Sequence, residues 1–218
     1  MRVLLAVAMM SAISAPSFAQ VDRGYVTGIG GFAVTPDTTS GDVLGEVGVR
    51  VAPRLFVFGN VGQFHNLQPS DAQPAIDSTT AMSAAEGLNV SGTGRVPAWY
   101  STGGVRYEVP MSGRIAPYVI GGMGFARLTP KLQFTYSSGQ LPDGSVPAVG
   151  ADVTTQLVSA GDLTMLADSN AFMFTLGGGV QVPVAPRWTV DLGYRFSRVA
   201  ADTPLNAQGA TFGVAYRF

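Results

Sequence analysis

Eight segments of the chain have the length and residue pattern of β-strands. In five of them apolar and polar residues alternate with a period of two, which predicts strands with one apolar and one polar face. The first, third and fifth segments contain so many glycine and apolar residues that their two faces are not distinguished. The eight predicted strands span residues 23–35, 41–52, 55–67, 96–109, 114–128, 171–182, 187–197 and 207–218.

The connections between these segments alternate between short turns and longer loops. Every predicted strand has at least the ~9–11 residues that a tilted strand needs to cross a bilayer. This pattern predicts an all-β fold, an eight-stranded antiparallel up-and-down transmembrane β-barrel with both termini at the short-turn end. Loops as long as the two over residues 68–95 and 129–170 are rare in compact soluble domains. The turns are residues 53–54, 110–113 and 183–186, and the loops are 36–40, 68–95, 129–170 and 198–206.

Charged residues lie on the polar face of the alternating segments, whereas the apolar face ends in aromatic residues such as Trp99 and Trp188. A charge that faces lipid costs ~2–4 kcal/mol at the bilayer midplane, so we predict that the charged face lines a narrow lumen. A soluble, ligand-carrying barrel, which would bury the apolar face instead, is an alternative. The predicted lumen residues are Glu46, Arg50, Arg106, Glu108, Asp191, Arg195 and Arg217.

The predicted lumen charges allow two interpretations. Three acids facing four arginines form either a polar permeation path, with the charges as a gate, or a plug of mutually paired side chains. An unpaired buried charge is costly, and an eight-stranded barrel is narrow, so the plug is favoured. A narrow porin-like channel for small solutes stays the alternative.

The N-terminus has the pattern of a secretory signal peptide. Arg2 precedes an apolar run over residues 3–13, and the small residues Ser17 and Ala19 fit a cleavage site. This run is too short for a transmembrane helix, which needs ~20 residues. We therefore expect a signal peptide over residues 1–19 and an exported barrel domain over residues 20–218.

Composition excludes several classes of function. The formal net charge is −1 and the isoelectric point about 5.7, whereas nucleic-acid-binding proteins normally show a basic stripe. The chain has no cysteine, which excludes disulfides, thiolate zinc sites and a lipid-anchored cysteine. We expect no cofactor, no metal site and no nucleic-acid partner.

The last predicted strand ends in a terminal pattern of large apolar and aromatic residues at every second position, namely Phe212, Val214, Tyr216 and Phe218. Together with the signal peptide and the eight strands, this terminal pattern resembles the small Gram-negative outer-membrane β-barrels of the OmpA/OmpX and opacity types. The resemblance implies an outer-membrane location and contact with lipid and lipopolysaccharide. It also implies that the terminal pattern is the signal read by the barrel-assembly machinery.

His65 is the only histidine of the chain and lies near the outer end of the third segment. Some outer-membrane barrels are lipid-modifying enzymes that act with a serine, a histidine and a carboxylate, and Ser70 and Asp71 follow in the sequence. A catalytic base needs hydrogen-bond reach to its nucleophile, and no local motif enforces that geometry here. We predict a non-enzymatic protein with His65 at the surface, and the lipid-modifying enzyme stays an alternative.

We expect the functional residues to lie on the long loops, because rigid scaffolds commonly carry binding residues on loops. We predict a structural or adhesin-like role, with a host or surface ligand bound through residues 68–95 and 129–170.

Apolar and polar residues alternate over residues 131–136, which predicts that this segment extends the fifth strand above the membrane. Most acids lie in or beside the outer loops, where they could hold divalent cations with lipopolysaccharide, although no calcium-loop spacing is present. These acids are Asp37, Asp42, Asp71, Asp77, Glu86, Asp143, Asp152, Asp162, Asp168 and Asp202.

Overall fold

The computed structural model contains ten β-strands and two α-helices in the residues that it describes. The described residues are 23–36, 38–67, 72–111, 114–141, 143–161, 163, 167–201 and 203–218. The elements are β1 (Gly24–Val34), β2 (Thr39–Ala52), β3 (Leu55–Phe64), α1 (Ala72–Ala85), β4 (Asn89–Arg95), β5 (Ala98–Glu108), β6 (Ala116–Leu128), β7 (Lys131–Ser138), α2 (Thr154–Ala160), β8 (Ser169–Ala185), β9 (Trp188–Ala200) and β10 (Leu205–Arg217).

Eight of the strands form a closed barrel in the order β1-β10-β9-β8-β6-β5-β3-β2, and all neighbours are antiparallel. The first and last strands close the ring, with Gly28 opposite Val214. At the short-turn end the Arg23 N–H donates to the Phe218 carbonyl at 2.6 Å, so the two ends of the described chain meet. The predicted eight-stranded antiparallel up-and-down barrel is confirmed.

Large apolar side chains cover the outside of the barrel. Trp99 is 55% exposed and Leu192 is 48% exposed, as the alternation predicts for the lipid-facing side. The three strands whose faces the sequence does not distinguish, β1, β3 and β6, also carry aromatic residues inside. Their inward residues Tyr25, Phe56 and Tyr118 are almost fully buried. Apolar residues therefore occupy both faces of these strands, which removes the period of two.

The outer half of the lumen, toward the long loops, is filled by apolar side chains. Leu67, in the connection that follows β3, is fully buried among them, and its N–H donates to the Val96 carbonyl at 2.8 Å. The barrel is therefore closed at this level by a packed apolar cluster. Its buried members are Ile29, Ala33, Leu44, Phe64, Leu67, Val96, Ala98, Tyr100, Ala126, Leu128, Ala171, Met173, Val199, Leu205 and Ala207.

Strands β4 and β7 form a separate two-stranded sheet beyond the barrel. Ala98 of β5 lies opposite Leu128 of β6, and Arg95 lies opposite Lys131 three residues further out on each strand. The pairing of β4 with β7 therefore keeps the register of β5 with β6. A strand over residues 131–136, in line with the fifth predicted strand, is confirmed, but its partner β4 lies in a segment that we predicted as a loop.

Two prolines explain why this long ladder is divided into two sheets. Pro97 and Pro130 lie between the paired regions, and proline has no N–H to donate to a ladder. The Thr129 N–H still donates to the Pro97 carbonyl at 3.0 Å, so the two strands stay together across the gap. The β4–β7 sheet is an outward continuation of the β5–β6 hairpin.

The helices pack against this sheet and form what we call the cap, which consists of α1, β4, β7, α2 and the connections between them. Its core is separate from that of the barrel and contains Ile76, Phe134, Val153 and Leu157, of which the last three are fully buried. In the described part of the chain, neither helix has the length and hydropathy of a membrane span. The prediction of loops over residues 68–95 and 129–170 allowed for one strand over 131–136 but missed α1, β4 and α2, which complete a small folded unit.

Several sequence predictions fall on residues outside the described ranges. The signal peptide over residues 1–19 and the start of the mature chain at Gln20 stay predictions for this reason. The same holds for five predicted side chains of the outer loops, namely Asp37, Ser70, Asp71, Asp162 and Asp202.

Candidate functional site

Glu46 on β2 is the centre of a buried polar network in the lumen, below the apolar cluster. Its Oε1 accepts a hydrogen bond from the Tyr25 hydroxyl at 2.8 Å and lies 3.7 Å from Nη1 of Arg106. Its Oε2 accepts from Nη2 of Arg195 at 2.7 Å and from the Asn60 amide at 3.5 Å. The carboxylate is thus held by two arginines and two neutral donors from four other strands.

Asp191 on β9 is the second acid of the network. Its carboxylate accepts from Nη2 of Arg106 at 3.1 Å, from the Tyr118 hydroxyl at 2.6 Å and from the Gln181 amide at 3.0 Å. Arg106 bridges this acid to the first one, and its guanidinium carbon lies 3.5 Å from the Tyr118 ring centroid and 5.1 Å from that of Tyr25. Cation–π contacts of this kind stabilise a desolvated guanidinium.

A fourth ion pair of the lumen lies toward the short-turn end. Nη2 of Arg217 donates to Oε1 of Glu108 at 2.7 Å, and it also contacts the side-chain oxygen of Gln181. Through Gln181 this pair joins the cluster around Asp191. Arg50 does not join it among the described residues, and its guanidinium instead lies over the Phe56 ring at 5.0 Å. Six of the seven predicted lumen charges are therefore brought into one network.

The neutral members Tyr25, Asn60 and Tyr118 were missed by the sequence reasoning. They lie on β1, β3 and β6, the strands whose faces the residue pattern does not distinguish. The usable signal was the pairing of each of these strands with a neighbour of known alternation. Glu46, for example, lies opposite both Thr27 and Asn60, which assigns the inward face of β1 and β3.

One predicted loop acid belongs to the lumen instead. Asp42 was predicted at the edge of an outer loop, but β2 begins at Thr39 and turns this side chain inward. It is buried and accepts a hydrogen bond from the Tyr100 hydroxyl at 2.8 Å. Alternation within the predicted strand over residues 41–52 already places Asp42 on the same face as Glu46, so the residue pattern itself contained the signal for this position.

The four residues of the terminal pattern lie together on the outside of the barrel. Phe212, Val214 and Phe218 are exposed, and Tyr216 packs against Trp188 with their ring centroids 5.2 Å apart. Their role as the signal for barrel assembly stays a prediction.

His65 directly follows β3 and is exposed. Its backbone N–H donates to the Gly41 carbonyl at 2.9 Å, which anchors the chain beyond the strand. The other two members of the hypothetical catalytic set lie outside the described residues. Within the described ranges, no group of three or more histidine and acidic side chains is arranged to hold a metal ion.

Asp152 organises the polar edge of the cap. Its Oδ1 accepts from the Thr154 hydroxyl at 2.7 Å and from the Thr154 N–H at 3.0 Å, and its Oδ2 accepts from the Gln133 amide at 3.1 Å. The hydrogen bonds from Thr154, with a smaller contribution from Gln133, hold the pKa of Asp152 below its usual value. The ionised carboxylate therefore fixes the start of α2 against β7.

We expect the cap to lose stability in acid because of Asp152. A carboxyl whose pKa is lower in the folded state stabilises that state above its unfolded pKa of ~3.9, and this stabilisation is lost as the pH falls through the lowered value. Relative to the intrinsic exchange rates, the protection of amides in α2 and β7 should fall as the pH drops below ~3.9 toward the lowered pKa of Asp152, and Asp152→Asn should flatten that profile. The control Glu86→Gln, at the exposed end of α1, should keep the wild-type profile. An equally steep profile in Asp152→Asn would contradict the assignment.

Comparison with known proteins agrees with this architecture. The family model of the outer membrane protein β-barrel domain matches residues 5–218. Neisserial surface protein A is 11% identical, with 89% of this chain and 96% of that chain covered and a TM-score of 0.52. A major outer membrane protein from Thermus thermophilus is 12% identical, with 89% and 99% covered and a TM-score of 0.51. At this level of identity the two structures show a shared fold only, and no curated protein matches the sequence significantly.

The location of the protein follows from these findings. The barrel is closed, its outer surface is apolar, its charge network lies inside, and the family model covers nearly the whole chain. The soluble-barrel alternative is therefore wrong, and the protein is an integral component of the outer membrane. The chain belongs to the outer membrane protein β-barrel domain family.

Proposed function

We propose that this protein is a non-enzymatic surface protein with a closed lumen, which uses its cap to bind a macromolecule outside the cell. The observation that carries the proposal is the cap itself, a folded unit with its own core at the long-loop end of the barrel. A barrel with only a structural role in the membrane does not require such a unit.

The state of the lumen supports a role other than transport. The six-residue charge network occupies its middle and short-turn levels, and the apolar cluster fills the level above. A solute would have to break buried ion pairs and then cross a packed apolar layer. Both steps are unfavourable, since separating a buried pair leaves an uncompensated charge.

One ordered loop of the cap supports a role in binding. Val146 and Val149 are 68% and 79% exposed, in a segment without charged residues between Asp143 and Asp152. The loop is held by backbone hydrogen bonds at both ends, such as the one from the Gly150 N–H to the Tyr136 carbonyl at 2.9 Å. Exposed apolar side chains on a preorganised loop are suited to insert into a partner protein.

The first test of this function is adhesion of bacteria that express the protein. Expressing cells should bind to a cultured epithelial monolayer, or to one another, several-fold more than cells without it. The double variant Val146→Ser/Val149→Ser should lose this gain. The matched control Val109→Ser/Val184→Ser removes two exposed valines from the opposite end and should retain it. Failure of the wild type to increase either form of adhesion would reject the binding role.

Two further measurements address the alternatives. The purified barrel should give no steady conductance in a planar bilayer, and a steady conductance would favour the narrow channel. Expression should leave the lipid A of the host cells unchanged. A modification of lipid A that His65→Ala abolishes would instead establish the lipid-modifying enzyme.

A further inference from the structure

Two cations lie directly opposite each other where the cap joins the barrel. Arg95 ends β4, Lys131 begins β7, and the two are paired across the ladder. Like charges in this position repel, so the pair is unfavourable for the sheet alone. Both side chains are exposed, and neither makes an ion pair or a side-chain hydrogen bond with any described residue. An external anion would remove this repulsion.

The pair lies on the same face of the ribbon as the lipid-facing residues of the barrel. Because the register is kept across the two prolines, alternate positions lead from Trp99 to Arg95 on one strand and from Arg127 to Lys131 on the other. Trp99 is exposed on the outside of the barrel, where aromatic residues mark the membrane interface. Arg127, opposite Trp99, is already paired with Asp168 at 3.0 Å.

The height of the pair matches the lipid headgroups. A strand rises ~3.3 Å per residue, so four residues place Arg95 and Lys131 about 13 Å along the ribbon beyond the level of Trp99. Strand tilt of ~35–45° shortens this distance along the membrane normal. Long basic side chains bend toward the interface, and the headgroup layer is roughly 5–8 Å thick on each side. From this height, long side chains that bend back toward the membrane bring the two cationic groups within reach of the outer-leaflet phosphates.

A groove of about 320 Å³ opens beside the two cations. Thr93 and Gln133, the next pair outward, add a hydroxyl and an amide to its lining. Asp152 is its acidic member, but both of its carboxylate oxygens already accept hydrogen bonds within the cap. The groove thus carries two cations against one ionised carboxylate, and this excess of positive charge faces a group that approaches along the membrane surface.

We propose that Arg95 and Lys131 bind a phosphate group of an outer-leaflet lipid headgroup and so fix the cap at the membrane surface. This inference is independent of what the cap binds on its far side. A lipid is favoured over a soluble anion because the pair continues the lipid-facing side of the barrel, four residues beyond Arg127 and Trp99 on each strand.

The test measures binding of lipid A to the refolded protein in detergent by native mass spectrometry. Bisphosphorylated lipid A should bind the wild type, and Arg95→Gln/Lys131→Gln should raise its apparent Kd roughly 30-fold, the factor expected when two cations are lost at an anionic lipid surface. The control Arg54→Gln/Arg114→Gln removes two cations from the short-turn end and should bind as the wild type does. Heat-dependent mobility on a denaturing gel establishes that each variant is folded.

Two further arms distinguish the source of the phosphate. Dephosphorylated lipid A should bind the wild type as weakly as the phosphorylated form binds the double variant. Millimolar inorganic phosphate should not displace bound lipid A. Equal binding by the double variant, equal binding of the dephosphorylated lipid, or displacement by inorganic phosphate would each overturn the proposal.

Discussion

Replacing Arg106 by alanine should lower the free energy of unfolding by about 3–5 kcal/mol. The guanidinium is fully buried and contacts both Glu46 and Asp191. Without it, Glu46 keeps Arg195, but Asp191 keeps only neutral donors. A buried charge that has lost its counter-charge is much less stable than the intact pair.

Urea unfolding of the barrel in lipid vesicles measures this loss. The control Arg127→Ala removes an arginine from the neighbouring strand β6, where it forms an exposed pair with Asp168. Exposed pairs contribute about 0–1 kcal/mol, so this variant should unfold almost as the wild type does. Similar small losses in both variants would mean that the lumen is hydrated enough to screen its charges, and the plug interpretation would fail.

Replacing Phe134 by alanine should destabilise the cap by about 3–5 kcal/mol and leave the barrel closed. Phe134 is fully buried at the centre of the cap core, which shares no buried residue with the apolar cluster of the lumen. Loss of the ring leaves a cavity between the sheet and α1, where Ile76 packs over β4.

Hydrogen exchange resolved by segment tests the independence of the two units. Amides of α1, β4 and β7 should exchange faster in Phe134→Ala, whereas amides of the barrel strands should keep their protection. The control Phe125→Ala removes an outward-facing ring from β6 and should leave exchange in the cap unchanged. Equal acceleration in the cap and the barrel would show that they unfold as one unit.

The barrel was predictable because each strand faces lipid on one side and a narrow lumen on the other, which makes apolar and polar residues alternate along the strand. The prediction was least definite where the lumen itself is apolar or aromatic, as at Phe56 of β3 and Tyr118 of β6. The charges were predictable as a set, but their pairing was not. Which arginine meets Glu46 depends on how the closed ring staggers its strands.

The cap was not predictable from local pattern. Helix α1 is rich in alanine, serine and threonine, and Ile76 is its main apolar anchor in the cap core. Strand β4 contains Gly92 and Gly94, which are poor strand formers but leave space for that isoleucine. Such elements form because the β5–β6 hairpin carries their register outward, a long-range effect that a single segment does not display.

The ion pairs of the lumen also bear on the kinetics of the barrel. Arg195 and Glu46 are 149 residues apart in sequence, and Arg217 and Glu108 are 109 apart. Such pairs join early and late strands across the lumen, so we expect them to form late, when both sides of the ring are in place. Interactions that are absent from the folding transition state slow unfolding rather than accelerate folding. The network should therefore slow unfolding and lengthen the lifetime of the inserted barrel, without increasing the rate at which the barrel assembles.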